Sequence, residues 1–321
     1  MKNLSTYPAS QFHERRMKGI GGSDISAIMG VNPWKSPLDV YLDKVGESEP
    51  IPDNFPMRLG RAMEVTLRQS YNELHDVEIV FSGDAMMIFE DGIFYHHPDG
   101  IAGYDADGSQ HLWEAKSSSR YSAWKNGPPI EVVMQCQWGL FLSGLPKCVI
   151  SLSLGSREYR EFEILPDQKM QKEMMVAAHL FWMDHVEKKI PPDPSGSDSD
   201  RVWLDEAFDE AETVAPLTAD LIHLGGLRLI ADNKVKTWAA QRDETDQKIM
   251  KLMGDHSAAA GDNFKVTWKR PKDRETLDKK VLREKLGAFI GPDMLEGIFH
   301  DSMKSSEQKR RFLFKEVDNA S

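Results

Sequence analysis

Asp99, Glu114 and Lys116 are the residues of this 321-residue chain whose types and spacing could do chemistry together. They lie in two short segments, His97-Pro98-Asp99-Gly100 and Trp113-Glu114-Ala115-Lys116, separated by a stretch of turn composition at 104–109. The pattern reads as a β-hairpin. Ile93, Phe94 and Tyr95 lead into the first arm, and His111, Leu112 and Trp113 lead into the second. Side chains two apart in a strand share a face, so Glu114 and Lys116 project together while Ala115 points away. Asp99, at the end of the opposing arm, can approach that same face. Two carboxylates and an ammonium at one sheet edge suit a hard divalent cation that activates water against a phosphodiester. A solvated turn with charged flanks uses the same residues, and the hairpin alone leaves both open.

Only context separates this set from similar letters elsewhere. Glu-x-Lys recurs at Glu187-Lys188-Lys189 and at Glu307-Gln308-Lys309. Residues 167–189 carry Met170, Met174, Ala178, Phe181 and Trp182 at helical spacing, which puts Glu187 near a helix end. The segment before Glu307 is polar and does not alternate.

The elements that must hold the hairpin follow from periodicity. Gly19-Ile20-Gly21-Gly22 opens a helix, with Ser23 or Asp24 as the expected N-cap and Gly30 as the stop. A second helix starts at Ser36-Pro37. An amphipathic helix over 57–74 has Leu59, Met63, Leu67, Tyr71 and Leu74 on its apolar face, with Glu64 beside it. Strands are expected at Val77–Phe81, Ala85–Phe89, Ile93–His96, Leu112–Lys116, Cys148–Leu154 and Tyr159–Ile164, and helices over 130–143 and 167–189. Residues 191–212 read as an acidic linker between a core at 1–190 and a helical extension at 213–321. In that extension, residues 217–253 form one long helix or two broken at Gly225-Gly226. Strands at 264–269 and 311–315 would pair with each other.

Bulk properties narrow the class. Hydrophobic residues make up 40% and charged residues 28% of the chain, and no apolar run reaches membrane-spanning length. Cys136 and Cys148 are too few for a disulfide framework or zinc site, so a cytoplasmic protein is expected. The formal net charge of −11 weighs against a nucleic-acid partner. Residues 191–212, with eight acids and one arginine, account for most of that imbalance.

The order of motifs resembles the phage-type recombination exonucleases, the YqaJ and lambda-exonuclease group of the PD-(D/E)xK nuclease superfamily. The stretches that carry the resemblance are Arg16 to Gly30, Leu59-Gly60-Arg61-Ala62-Met63-Glu64, Pro98-Asp99-Gly100, Glu114-Ala115-Lys116 and Gln135-Cys136-Gln137-Trp138. It implies an α/β fold, a PD-(D/E)xK restriction-endonuclease-like core with a mixed central sheet flanked by helices. An α-rich C-terminal extension with a small β element would follow. By resemblance, Asp99, Glu114 and the Ala115 carbonyl bind one Mg2+, with Mn2+ as a substitute, and Glu64 completes a second metal position. Lys116 orients or deprotonates the attacking water, and Gln135 touches the site. Gln135 and Gln137, two apart on a helix, cannot share a face. Arg16, Ser23 and His97 match the positions that hold a 5′-terminal phosphate, although His97 replaces a serine.

The activity so implied is 5′-to-3′ exonuclease digestion of one strand of linear double-stranded DNA. It would leave a 3′ overhang for a single-strand annealing protein, and the enzyme would be a homotrimer. A restriction- or repair-type endonuclease and a non-catalytic DNA-end-binding scaffold are the alternatives. Trp34, Trp124, Trp138 and Trp182 read as core or interface residues. A wedge that splits the duplex end is expected from the loop at 31–37 or at 50–58. A zinc site at His96, His97 and His111 lacks cysteine or carboxylate spacing.

Overall fold

Among the first 208 residues the alternating segments resolve into two sheets, and the two arms expected to form the hairpin, Ile93–His96 and Leu112–Lys116, fall in different ones. The computed structural model describes residues 4–8, 12–48, 52–80, 85–103, 108–208, 214–260, 264–269 and 278–301. The chain divides into two compact units, Met1–Phe208 and Asp209–Ser321.

In the first unit, β1 (Leu4–Pro8), α1 (Phe12–Met17), β2 (Ile20–Gly21) and α2 (Gly22–Ile28) precede α3 (Pro37–Val45) and α4 (Phe55–His75). Five strands follow: β3 (Ile79–Val80), β4 (Ala85–Asp91), β5 (Phe94–His96), β6 (Gly100–Ala102) and β7 (His111–Ser118). Then come α5 (Ile130–Ser143), β8 (Cys148–Leu154), β9 (Glu158–Ile164), α6 (Gln168–Phe181) and α7 (Asp198–Ala207).

The central sheet has the order β3-β6-β7-β8-β9 and is mixed, with β7 and β8 parallel and the other pairs antiparallel. The smaller sheet has the order β1-β4-β5-β2. Pro98 and Asp99 therefore bridge two sheets. The segment Phe94–His96 belongs to the smaller sheet, and the partner of β7 is Gly100–Ala102, with Gly100 opposite Trp113. Asp99 stands at the start of the paired strand rather than at its end.

All seven residues of β8 are buried, which explains its near-continuous apolar run. The two serines in that run are not errors of patterning. Ser151 accepts a hydrogen bond from the buried Trp113 indole at 2.8 Å. On one side of the sheet α5 contributes Met134, Trp138 and Leu142 to the core; on the other α4 lays Leu67 and Tyr71 over Trp113 and Val149. The apolar face of α4 is shorter than its pattern, because Leu59 and Leu74 are exposed. Helix α3 starts as its sequence dictates: Ser36 and Asp39 cap each other, Pro37 occupies the first turn, and Gly46 takes φ 79° to end it. Helix α2 differs. Its N-cap is Gly21, and Asp24 reaches back to accept the Gly21 N–H at 3.1 Å.

Residues 191–212 contain more structure than their composition suggested. Helix α7 is fastened to α3 by Asp200, which is 1% exposed and accepts from Ser36 Oγ at 2.7 Å. Asp200 also accepts from the Ser195 N–H at 2.6 Å and from Ser195 Oγ at 2.7 Å. Trp124 and Trp138 are buried, and Trp182 packs against the core. Trp34 is 72% exposed, so of the two expected places, core or interface, it does not occupy the core.

In the second unit, α8 (Ala219–Met253) runs unbroken through Gly225-Gly226. Strand β10 (Ala258–Ala260) pairs with β11 (Lys265–Thr267), and α9 (Lys279–Gly287) and α10 (Pro292–Asp301) follow. The partner of 265–267 is thus a local hairpin arm, and the expected strand at 311–315 lies outside the described residues. Among the described residues no helix is long and apolar enough to cross a membrane.

Candidate active site

Strand β7 delivers Glu114 and Lys116 to one face, as the two-residue period requires. Lys116 Nζ donates to Glu114 Oε2 at 3.0 Å, and Gln135 Nε2, from α5, donates to the same oxygen at 3.0 Å. Asp99 joins them through the backbone, its Oδ2 accepting the Ala115 N–H at 2.9 Å. Gln137 points elsewhere. It donates to the Leu165 carbonyl at 2.7 Å and accepts from the Asp167 N–H and from Gln171, so it ties α5 to the start of α6.

His96 is a residue that sequence reasoning set aside. It is 2% exposed, and its Nε2 lies 3.4 Å from Glu114 Oε1, beyond good hydrogen-bond geometry. Neither atom has another hydrogen-bond partner among the described residues. Two glycines make room for the ring. A Cβ on Gly22 would come 2.9 Å from His96 Nδ1, and one on Gly139 would come 2.6 Å from Nε2. The signal in the sequence was the pair of glycines at packed helix positions, whose partner only the fold could name. His111 is structural, its ring bonded to Tyr71 Oη at 2.8 Å.

The electrostatics divide the two carboxylates. Burial works against charge on Glu114, but Lys116 and then His96 outweigh it and hold Glu114 down to about 2. Burial pushes Asp99 well above the usual carboxylate range, and Glu114 and Glu64 push it further. Burial opposes charge on Lys116, yet Glu114 and Asp99 raise its pKa above the ordinary lysine value. Glu64, half-buried on α4, is raised by burial and feels both Glu114 and Lys116. These four groups form one electrostatic unit, assembled from α4, the β5–β6 connection and β7.

Among the described residues no three His, Cys, Asp or Glu side chains already converge as a metal cage. In their place, Lys116 and Gln135 occupy Glu114 Oε2. The donor chemistry nonetheless fits a hard cation. Glu114 Oε1 is buried without a hydrogen-bond partner, and burial together with Glu114 raises the Asp99 pKa more than Lys116 lowers it.

A second polar cluster surrounds the start of α2. Asp24 is fully buried and meets Lys44 at 2.7 Å, Lys35 at 3.0 Å and Arg16 at 4.0 Å. Asp43 accepts from Arg16 Nε at 3.2 Å and lies 3.7 Å from Lys35. Three cations face two carboxylates, a surplus of one positive charge. Ser23 is exposed in the first turn of α2. His97 lies half-buried, and burial with the neighbouring His96 lowers its pKa below the ordinary histidine value, while Glu114 opposes.

The residues that carry this geometry, Arg16 to Gln135, fall inside one matched segment. Residues 11–146 match the family described as YqaJ-like viral recombinase domain. The chain is 26% identical over 316 residues to the uncharacterized protein YqaJ of Bacillus subtilis, covering 94% of this chain and 92% of that protein. Among solved structures, an alkaline exonuclease from Laribacter hongkongensis matches with a TM-score of 0.47 and 17% identity, over 57% of this chain and 94% of its own. A phage-related exonuclease from Haemophilus somnus matches with a TM-score of 0.41 and 12% identity, over 53% and 96%. That matched segment ends just after α5. Strands β8 and β9 and helices α6 and α7, which complete the sheet and cover it, lie beyond the matched residues.

Proposed function

We propose that the protein is a magnesium-dependent exonuclease that digests one strand of linear double-stranded DNA from its 5′ end and leaves a 3′ overhang. The observation that carries this reading is the convergence of Asp99, Glu114, Lys116 and Gln135 on one face of β7, with Glu64 in electrostatic contact. Asp99, Glu114 and the Ala115 carbonyl would hold one Mg2+, for which Mn2+ could substitute, and Glu64 would serve a second. The bound cation supplies an activated water and charge neutralisation at phosphorus.

The chain's own groups do the positioning. Gln135 and Lys116 fix the Glu114 carboxylate, and the Ala115 N–H fixes Asp99. Glu114 and Asp99 favour the protonated form of Lys116. It therefore acts as a donor that orients water and phosphate oxygens. Arg16 and Ser23 would take the 5′-terminal phosphate, favoured by the surplus positive charge around Asp24. His97 would contribute as a hydrogen-bond donor. Handing the overhang to a single-strand annealing protein, and assembly as a trimer, belong to the same reading.

The decisive experiment offers the protein linear duplex, with and without a 5′ phosphate, and closed circular DNA, each with Mg2+ and with chelator. Mg2+-dependent release of nucleotides from the 5′ end of linear duplex is expected. Digestion of closed circles would make the protein an endonuclease, and binding of ends without hydrolysis would make it a scaffold.

A further inference from the structure

Trp34 has an exposed indole on a hydrogen-bonded loop. Burying such a ring is strongly favoured, so an exposed one needs a loop that cannot fold it inward. Asn32 supplies that constraint. Its Oδ1 accepts the Trp34 N–H at 2.8 Å and the Lys35 N–H at 3.0 Å, and its Nδ2 donates to Ser26 Oγ at 2.9 Å. The Val31 and Asn32 N–H groups both donate to the Ser26 carbonyl. Downstream, Ser36 caps α3 and is held by Asp200. The indole, 72% exposed, carries the Arg120 guanidinium over its ring at 4.6 Å from the centroid. The cation over the ring forms a cation–π pair.

Position gives this pair its meaning. Lys35, next to Trp34, bonds to Asp24, the neighbour of Ser23. Arg120 lies four residues beyond Lys116, roughly 13 Å along an extended chain. The pair joins the loop beside the Arg16 and Ser23 cluster to the end of the strand that carries the cutting residues.

We propose that Trp34 and Arg120 form a stacking platform for an unpaired nucleobase of the DNA strand whose phosphates pass Lys116. The indole supplies a flat apolar face that tolerates any base, and Arg120 supplies charge for the adjoining phosphate. The proposal rests on the nuclease reading.

The test uses Lys116→Ala protein, so that DNA is held without being cut. Fluorescence anisotropy compares a duplex ending in two unpaired 5′ thymines with the same duplex carrying abasic spacers there. Adding Trp34→Ala should weaken the thymine substrate about tenfold, since stacking on an aromatic side chain has roughly that effect per base. Trp34→Phe should retain most of the affinity. The abasic substrate should bind weakly and be indifferent to Trp34→Ala. The exposed ring contributes little packing, so circular dichroism should show these variants folded. If wild-type protein cuts linear duplex while Trp34→Ala leaves the thymine substrate's affinity unchanged, the platform is refuted and the nuclease stands. If wild-type protein neither binds nor cuts DNA, both fall together.

Discussion

At the scale of single residues, the site shifts two neighbouring carboxylates in opposite directions, Glu114 down and Asp99 up. Lys116→Ala should lower cleavage by about 10²–10⁴-fold while DNA affinity changes little, because the ammonium acts on water and phosphate rather than on the duplex as a whole. Single-turnover rates beside binding isotherms will separate the two. Asp99 behaves oppositely. Its pKa is raised by burial and by Glu114, so the folded state prefers it protonated. Stability from that preference is present below the unfolded value near 3.9 and is lost as pH rises through the folded value. At pH 7 a charged Asp99 therefore destabilises the metal-free protein. Asp99→Asn should raise the metal-free melting temperature, by roughly 2–4 °C per kcal/mol relieved, while abolishing activity. Added Mg2+ should stabilise wild type more than the variant, and a melting temperature that Asp99→Asn lowers would contradict this assignment. Arg16→Ala should slow digestion of 5′-phosphorylated duplex roughly tenfold to a hundredfold, the worth of one charge-assisted hydrogen bond. The rate on 5′-hydroxyl duplex, measured in parallel, should hardly change.

At the scale of elements, the notable piece is α7, a short acidic helix that its composition placed in a linker. Eight acids in 22 residues repel one another and favour solvent, which is why no core was expected there. One of those acids is nevertheless buried, because Ser36 and Ser195 supply three hydrogen bonds to its two oxygens. Asp200→Ala leaves those donors without an acceptor and should cost roughly 1–3 kcal/mol. Chemical denaturation will read the loss, and proteolysis between α6 and α7 should accelerate. The same contact reaches the N-terminus of α3, and hence the loop that carries Trp34 and Lys35. A helix outside the matched domain thus braces a loop beside its polar cluster.

At the scale of the whole molecule, the buried charges around Asp24 set the acid limit of stability. Burial opposes its charge, but Lys44, Lys35 and Arg16 together depress its pKa far below the usual carboxylate value. For Lys44 burial is the larger influence and lowers its pKa, with Asp24 opposing. The 2.7 Å contact is that of a charged pair. A carboxylate depressed in the folded state contributes stability above its unfolded pKa, and loses it as pH falls towards the folded value. Thermal stability should therefore decline progressively below about pH 4. Asp24→Asn should cost about 3–5 kcal/mol at pH 7, because it leaves Lys44 buried without its counter-charge, and should flatten the acid limb. Melting curves from pH 2 to 7 on both proteins will check this.

The sequence by itself determined what depends on local order. The β7 alternation placed Glu114 and Lys116 on one face, and helical spacing sent Gln135 and Gln137 to different partners. The Ser36-Pro37 signal marked the start of α3, and the apolar spacing over 130–143 matched α5. Composition and periodicity carry such information because they act over a single turn or pleat. Which sheet Phe94–His96 joins, where β11 pairs, whether 191–212 docks and where Trp34 points were all decided by tertiary structure. Each depends on contacts between residues far apart in the chain, where a strand's partner or a carboxylate's donors are chosen by competition among distant segments. His96 shows the difference most directly. Its place beside Glu114 exists because Gly22 and Gly139, 117 positions apart, leave space on opposite sides of one buried ring.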